Sequence, residues 1–273
     1  MGTRLKSVED TVQKLAVPWL LSQGLRKSGT CVRLRAMDRS RDDSQFQTTL
    51  WSVVLRAGSA DAAPKHAALS ELCRLYWKPL LVFCLGRGHQ REDAEDLTQA
   101  FFAHLLAHDT LRVADPDRGR FRGFLLTSFK RFMADDADFR RAAKRGGGSV
   151  HLSFEVECHA SDLLPPSAEI SPERAYDRQW ANDLVARATA ALQAEAVASG
   201  KAQWFERVAG PDSGAAYAEV AAELATSEDA VKSFAKRTRR RFRELLEREI
   251  ADTVGSPEEA AEELAYLVEL LRG

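Results

Sequence analysis

Apolar residues recur at spacings of three and four almost throughout Gln47 to about Lys144, the period of amphipathic helices. REDAEDLTQAFFAHLL (Arg91 to Leu106) shows it best. Ala94, Leu97, Phe101 and Leu105 form one apolar stripe, and Glu92, Asp93, Glu95, Asp96 and Gln99 fall on the other side. LSELCRLYWKPLLVFCL (Leu69 to Leu85) predicts a helix pair or one helix kinked at Pro79, since proline lacks the amide donor that a helix interior uses. DPDRGRF (Asp115 to Phe121) reads as a turn, and FRGFLLTSFKRFMADD after it as another helix.

The helical period stops in the stretch from Arg145 to Pro172, which holds RGGG, the string LLPPS and little alternation. It predicts an interdomain linker, with a short extended piece at Val150 to Val156. Ser171-Pro172 then supplies a capping residue and a proline at the first helical position, opening a helix to about Ala198. GPDSG (Gly210 to Gly214) is the next break. Beyond it lie a short helix (Ala215 to Leu224), a turn near Ala225-Thr226-Ser227 and a long basic helix. Short helix, tight turn and second helix is the helix-turn-helix layout. A last helix begins at Ser256-Pro257 and carries five glutamates and one arginine to Gly273.

The expected fold is therefore all-α: two helical domains joined by a flexible linker, the second containing the helix-turn-helix. The boundaries run 1–46 for an N-terminal arm, 47–145 for the first domain, 146–171 for the linker, 172–250 for the second domain and 251–273 for the acidic helix. Met37 opens the polar string MDRSRDDSQ, so translation starting at Met37 and a flexible arm starting at Met1 both fit.

Composition adds constraints. The 273 residues are 45% hydrophobic and 29% charged, ordinary for a folded chain rather than a disordered one. Cys31, Cys73, Cys84 and Cys158 form no CxxC pair, which fits a reducing compartment. No apolar run approaches the roughly 18 residues of a membrane span. LAVPWLLSQGL (Leu15 to Leu25) is short, interrupted by Pro18 and lacks a cleavage site. A cytoplasmic protein without membrane insertion is expected.

Net charge is only −1, from 39 basic and 40 acidic residues, yet AVKSFAKRTRRRFR (Ala230 to Arg243) holds seven basic residues and no acid, leaving the rest at −8. On a helical wheel Val231, Phe234, Thr238, Phe242 and Leu245 fall within about 80°. Val220, Leu224 and Tyr217 of the preceding helix are the natural packing partners. Lys232, Lys236, Arg239 and Arg243 line another face, with Arg237 and Arg240 beside them. Like charges four apart destabilise a helix, so an uncompensated stripe argues for an anionic partner against a merely solvated face. Behind a helix-turn-helix that partner is duplex DNA. About six phosphate contacts would make affinity fall roughly a thousandfold between 50 and 200 mM salt. Base reading would fall to groups near the helix start: Glu228, Asp229, Lys232, Ser233 and Lys236.

A second basic region, Arg118 to Arg145, carries nine basic residues and three acids. Phe121, Phe124, Phe129, Phe132 and Phe139 are interleaved with Arg120, Arg122, Lys130, Arg131, Arg140 and Arg141. Phenylalanines so spaced suit a core. Basic groups among aromatics also suit a single strand with stacked bases.

EDAEDLTQAFFAHLL, FRGFLLTSFKRFM, a linker and YAEVAAELATSEDAVKSFAKRTRRRFREL, in that order, resemble the extracytoplasmic-function type of bacterial RNA polymerase sigma factor from about Thr48 to Leu246. DAEDLTQ and YAEVAAEL…AVK…R are the most diagnostic parts, and RGRFRGFLL with KRGGG points to the sigma-like proteins that carry those strings. The resemblance implies that the acidic helix docks on the clamp helices of the polymerase's largest subunit through Asp93, Asp96 and Gln99, with Leu97 and Phe101 in internal packing. It assigns the unpaired −10 strand to Arg122, Lys130, Arg131, Arg140 and Arg141. It assigns the −35 duplex to the basic helix, through Glu228, Asp229, Lys232, Ser233, Lys236, Arg237 and Arg240. The partners it implies are core RNA polymerase, promoter DNA and an anti-sigma factor or other regulator. Departures are Ala225 where the family usually has glycine, Arg131 where many relatives have an amide or histidine, a longer linker and the acidic tail, which either covers a basic face or docks a partner.

An enzyme is not expected. His104 and His108 lie four apart without a further ligand, Cys158-His159 has no second pair, and RGGG lacks phosphate-loop spacing. No metal or cofactor is called for. The rival function is a helix-turn-helix regulator that binds duplex DNA without polymerase, and a third is a sigma-like interaction module held by an anti-sigma partner. Neither the acidic docking helix nor the aromatic-basic helix would be needed by a plain regulator.

Overall fold

The computed structural model describes residues 62–108, 110–111, 114, 120–142, 163, 169–209, 215–251, 253–254 and 256–272. The N-terminal arm with Met37, the Asp115–Gly119 part of the turn, the extended piece at Val150 to Val156 and GPDSG lie outside the described residues. Regular structure among the described residues is all helical: α1 (Ala62–Gly86), α2 (Arg91–Ala107), α3 (Phe121–Ala142), α4 (Pro172–Ala198), α5 (Ala202–Ala209), α6 (Tyr217–Glu223), α7 (Glu228–Ala251) and α8 (Pro257–Arg272). Contacts divide the chain into two compact units. One holds the described residues up to Trp180 with Ala251–Glu259, and the other holds Ala181–Ile250 with residue 260 onward. The division falls inside α4.

In the first of these units α1 packs on α2, and α2 on α3. Helix α1 runs as one element through Pro79, with no second helix after it. Its inner face, including Leu69, Leu72, Tyr76, Leu80 and Phe83, is almost completely buried. Helix α2 buries the predicted stripe of Ala94, Leu97, Phe101 and Leu105, widened by Thr98 and Phe102. Thr98 satisfies its hydroxyl locally by donating to the Ala94 carbonyl at 2.8 Å. Glu92 and Asp93 in the first turn suit the positive end of the helix dipole. The core is an aromatic cluster: the Phe101 ring centre lies 4.9 Å from that of Phe129 and 5.6 Å from that of Phe132, both tilted, and Tyr76 meets Phe121 edge-on at 5.6 Å. Phe121 and Phe129 are therefore core residues, while Phe124 and Phe132 are half-buried. Cys73 and Cys84 are free and buried, and burial pushes both thiols up to about 12, leaving them inert.

The start of α4 belongs to this unit. The Ser171 hydroxyl accepts the Arg174 amide at 3.2 Å, as its capping position predicts. A Cβ at Gly86 would sit 3.3 Å from the Pro172 Cα, so the end of α1 and the start of α4 approach at a distance suited to glycine. Tyr176 and Trp180 are buried, each such burial being worth roughly 1.5–3 kcal/mol.

In the other unit, α4 ends at Gly200, whose φ of 67° is the left-handed cap that glycine adopts cheaply. The Lys201 and Gly200 amides bond the Ala196 and Val197 carbonyls across that cap. Helix α5 follows, an element not among those expected from the sequence. In α8, whose residues up to Glu259 belong to the first unit, Ser256 accepts the Glu259 amide as expected, and Leu267, Val268 and Leu270 are buried while Glu258, Glu262 and Glu269 are exposed. The acidic helix is thus built into the fold by its apolar side.

Candidate nucleic-acid interface

Helix α6 has only seven residues, and its geometry depends on how it ends. The Thr226 amide bonds the Ala221 carbonyl at 2.9 Å and the Ala225 amide bonds Ala222 at 3.3 Å, with Ala225 at φ 48° between them. This is a Schellman cap, whose left-handed position glycine favours; here it is held by alanine. Ser227 then starts α7, its hydroxyl accepting the Ala230 amide at 3.2 Å. Val220, Ala221 and Val231 form the cluster that fixes α6 against α7, with Trp204, Tyr217 and Leu224 packed around it.

The buried stripe of α7 is Val231, Ala235, Thr238, Phe242, Leu246 and Ile250. This corrects the wheel at two positions. Phe234 and Leu245 are only half-buried, because the stripe drifts along the helix toward Ala235, Leu246 and Ile250. Phe234 instead meets Trp204 of α5 edge-on at 5.4 Å.

Glu228, Asp229, Lys232, Ser233, Lys236, Arg237 and Arg240 are all exposed, Ser233, Arg237 and Arg240 on the side away from that stripe. The cations are less uncompensated than their own fourteen residues suggest, because acids just outside the run reach them. Lys232 pairs with Glu228 at 2.9 Å, Arg240 with Glu244 at 3.0 Å, and Arg243 with Glu247. Arg239 donates to the Tyr217 hydroxyl. Arg241 forks onto Glu195 of α4 at 2.8 and 3.0 Å and also reaches Glu244, so it ties α7 to α4. These partners hold Glu195 and Glu244 below the usual carboxylate range, through hydrogen bonds from Arg241 and from Arg240 respectively. Exposed pairs at four-residue spacing are weak, and a phosphate can replace them. Lys236 and Arg237 have no ion-pair partner among the described residues, and they lie at the middle of the exposed face.

In the other unit Asp93 and Asp96 are exposed on α2 and Gln99 is half-buried, while Leu97 and Phe101 are in the core. Of the cations assigned to the −10 strand, Arg131 is exposed and Lys130 half-buried. The side chains of Arg140 and Arg141 lie outside the described residues. Arg122 departs from the expectation. It is 7% exposed, its Nη1 donates to Asp177, and its guanidinium lies 4.8 Å over the Trp180 ring. Its carbonyl accepts the Tyr176 hydroxyl at 3.1 Å, and burial pushes that phenol well above its ordinary range. A phosphate could reach Arg122 only by dismantling these contacts, so Arg122 is a packing and pairing residue here. Its partners lie some fifty residues on, where no local pattern could signal them.

His104 and His108 are adjacent, rings 4.4 Å apart, with His104 also 5.3 Å from Phe132. Among the described residues no group of three or more His, Cys, Asp or Glu is placed to hold a metal. No helix among them is long and apolar enough to cross a membrane. Compared with protein-family models, curated proteins and solved structures, the chain matches none.

Proposed function

We propose that this chain is a sigma factor of the extracytoplasmic-function kind. It binds core RNA polymerase through the acidic face of α2, takes the −10 strand on the outer face of α3 and reads the −35 duplex with α7 of a helix-turn-helix. The observation that carries the proposal is the pairing of α6 and α7 through a four-residue turn, with Lys236 and Arg237 on an exposed cationic face and without an ion-pair partner among the described residues. That face suits phosphate contacts, and the groups at the α7 start suit base edges in the major groove. Asp93 and Asp96, exposed on a separate unit, favour this function over a regulator that works without polymerase.

Promoters recovered with the protein after crosslinking in cells, placed before a template, test it. Purified protein added to core polymerase should give run-off transcripts from them. Duplex binding without any transcript would instead indicate the regulator.

A further inference from the structure

Lys130 of α3 is held in a cluster that already contains an anion. Its Nζ lies 5.6 Å over the Phe83 ring and 2.7 Å from the Glu173 carboxylate of α4. Arg87 also lies over Phe83, at 5.7 Å, and attracts the same carboxylate. Glu173 is not carried on a loose arm. Pro172 abuts Gly86, Asp177 grips Arg122, and Tyr176 and Trp180 are buried behind it. That rigid seat fixes the backbone of Glu173, so its carboxylate stays close to Lys130. The Lys130 and Glu173 side chains are nevertheless 38% and 45% exposed, so a solvent-borne anion can reach the pair. The hydrogen bond from Lys130 holds the Glu173 carboxyl below its usual range, keeping it charged.

We propose that Glu173 is an internal occupant of a phosphate site formed by Lys130 and Arg87 over Phe83, and that single-stranded DNA must displace it. This rests on the assignment of α3 to single-stranded DNA made above. Glu173 thereby lowers the affinity of the free protein for single strands.

Labelled twelve-nucleotide oligo-dT, bound to the full chain and followed by fluorescence anisotropy over a salt series, tests this. Glu173→Gln should bind roughly two- to fivefold tighter at low salt, the range set by one exposed ion pair. Its log–log salt slope should steepen by about 0.7, one single-strand phosphate contact. Lys130→Met should weaken binding, and adding it to Glu173→Gln should remove most of the gain. Glu258→Gln, an equal change of charge at an exposed α8 position, should leave binding unaltered. If Lys130→Met weakens binding but Glu173→Gln does not tighten it, the occupant idea is overturned while the DNA face stands. If neither variant changes binding, with circular dichroism intact, both fall. An equal gain from Glu258→Gln, or a gain that survives Lys130→Met, would reduce the effect to net charge and overturn the specific site.

Discussion

Ala225→Gly should stabilise the protein, although it removes a methyl group and adds no contact. Ala225 is exposed, sits at φ 48° and closes the Schellman cap of α6. A residue with a Cβ loses roughly 1–2 kcal/mol in left-handed backbone. Glycine's greater freedom in the unfolded chain takes back roughly 0.5–1 kcal/mol. The net gain is about 0.5–1 kcal/mol, a rise of about 2–8 °C in the melting midpoint of a unit of this size. Thermal and urea unfolding followed by circular dichroism would measure it. Ala225→Val, β-branched at the same φ, should lose at least about 1 kcal/mol. An unchanged or lower stability for Ala225→Gly would refute the strained cap.

Further outcomes follow from the same geometry. Arg122→Met should cost about 2–4 kcal/mol in urea unfolding by removing the guanidinium that pairs with the largely buried Asp177, and Asp177→Leu in the same chain should restore part of it. Lys236→Ala and Arg237→Ala should each reduce the log–log salt slope of duplex binding by about 0.9, while Arg241→Ala, whose guanidinium is committed to Glu195 and Glu244, should leave the slope unaltered. His104 has its pKa lowered from 6.5, first by desolvation and then by His108, with Asp135 opposing. The folded state therefore resists its protonation, so its contribution is favourable above about 6.5 and is lost as pH falls through that value toward the lowered pKa. His104→Gln should flatten the stability loss between about pH 7 and 5. Deleting α8 should destabilise the chain by removing the buried side chains of Leu267, Val268 and Leu270 and exposing the surface they cover, so a role for its charge is tested by changing Glu258, Glu262 and Glu269 to Gln instead.

Local chemistry made much of this fold legible. The α2 stripe is a clean 3.6-residue repeat, and Ser171 and Ser256 announce their helices through capping. Helix α5 is only eight residues long, so although Trp204, Phe205, Val208 and Ala209 recur at three- and four-residue spacing, the repeat covers barely two turns and is easily passed over beside the longer helices. Gly200 was the available signal, since a glycine just past Ala198 marks a helix end with room for a new start. The α7 wheel identified the exposed face but misplaced Phe234, whose ring is held by Trp204, thirty residues earlier. Charge partners were least legible. The Glu195 that holds Arg241 and the Asp177 that withdraws Arg122 are distant in sequence, so counting cations along the chain overstated how many were open.

Binding to purified core RNA polymerase tests the central claim most directly. The full chain should form a stable complex by size-exclusion chromatography, and Asp93→Lys with Asp96→Lys should abolish it while leaving duplex DNA binding intact. A folded protein that binds duplex DNA but never core polymerase, or whose complex ignores those two reversals, would contradict the account.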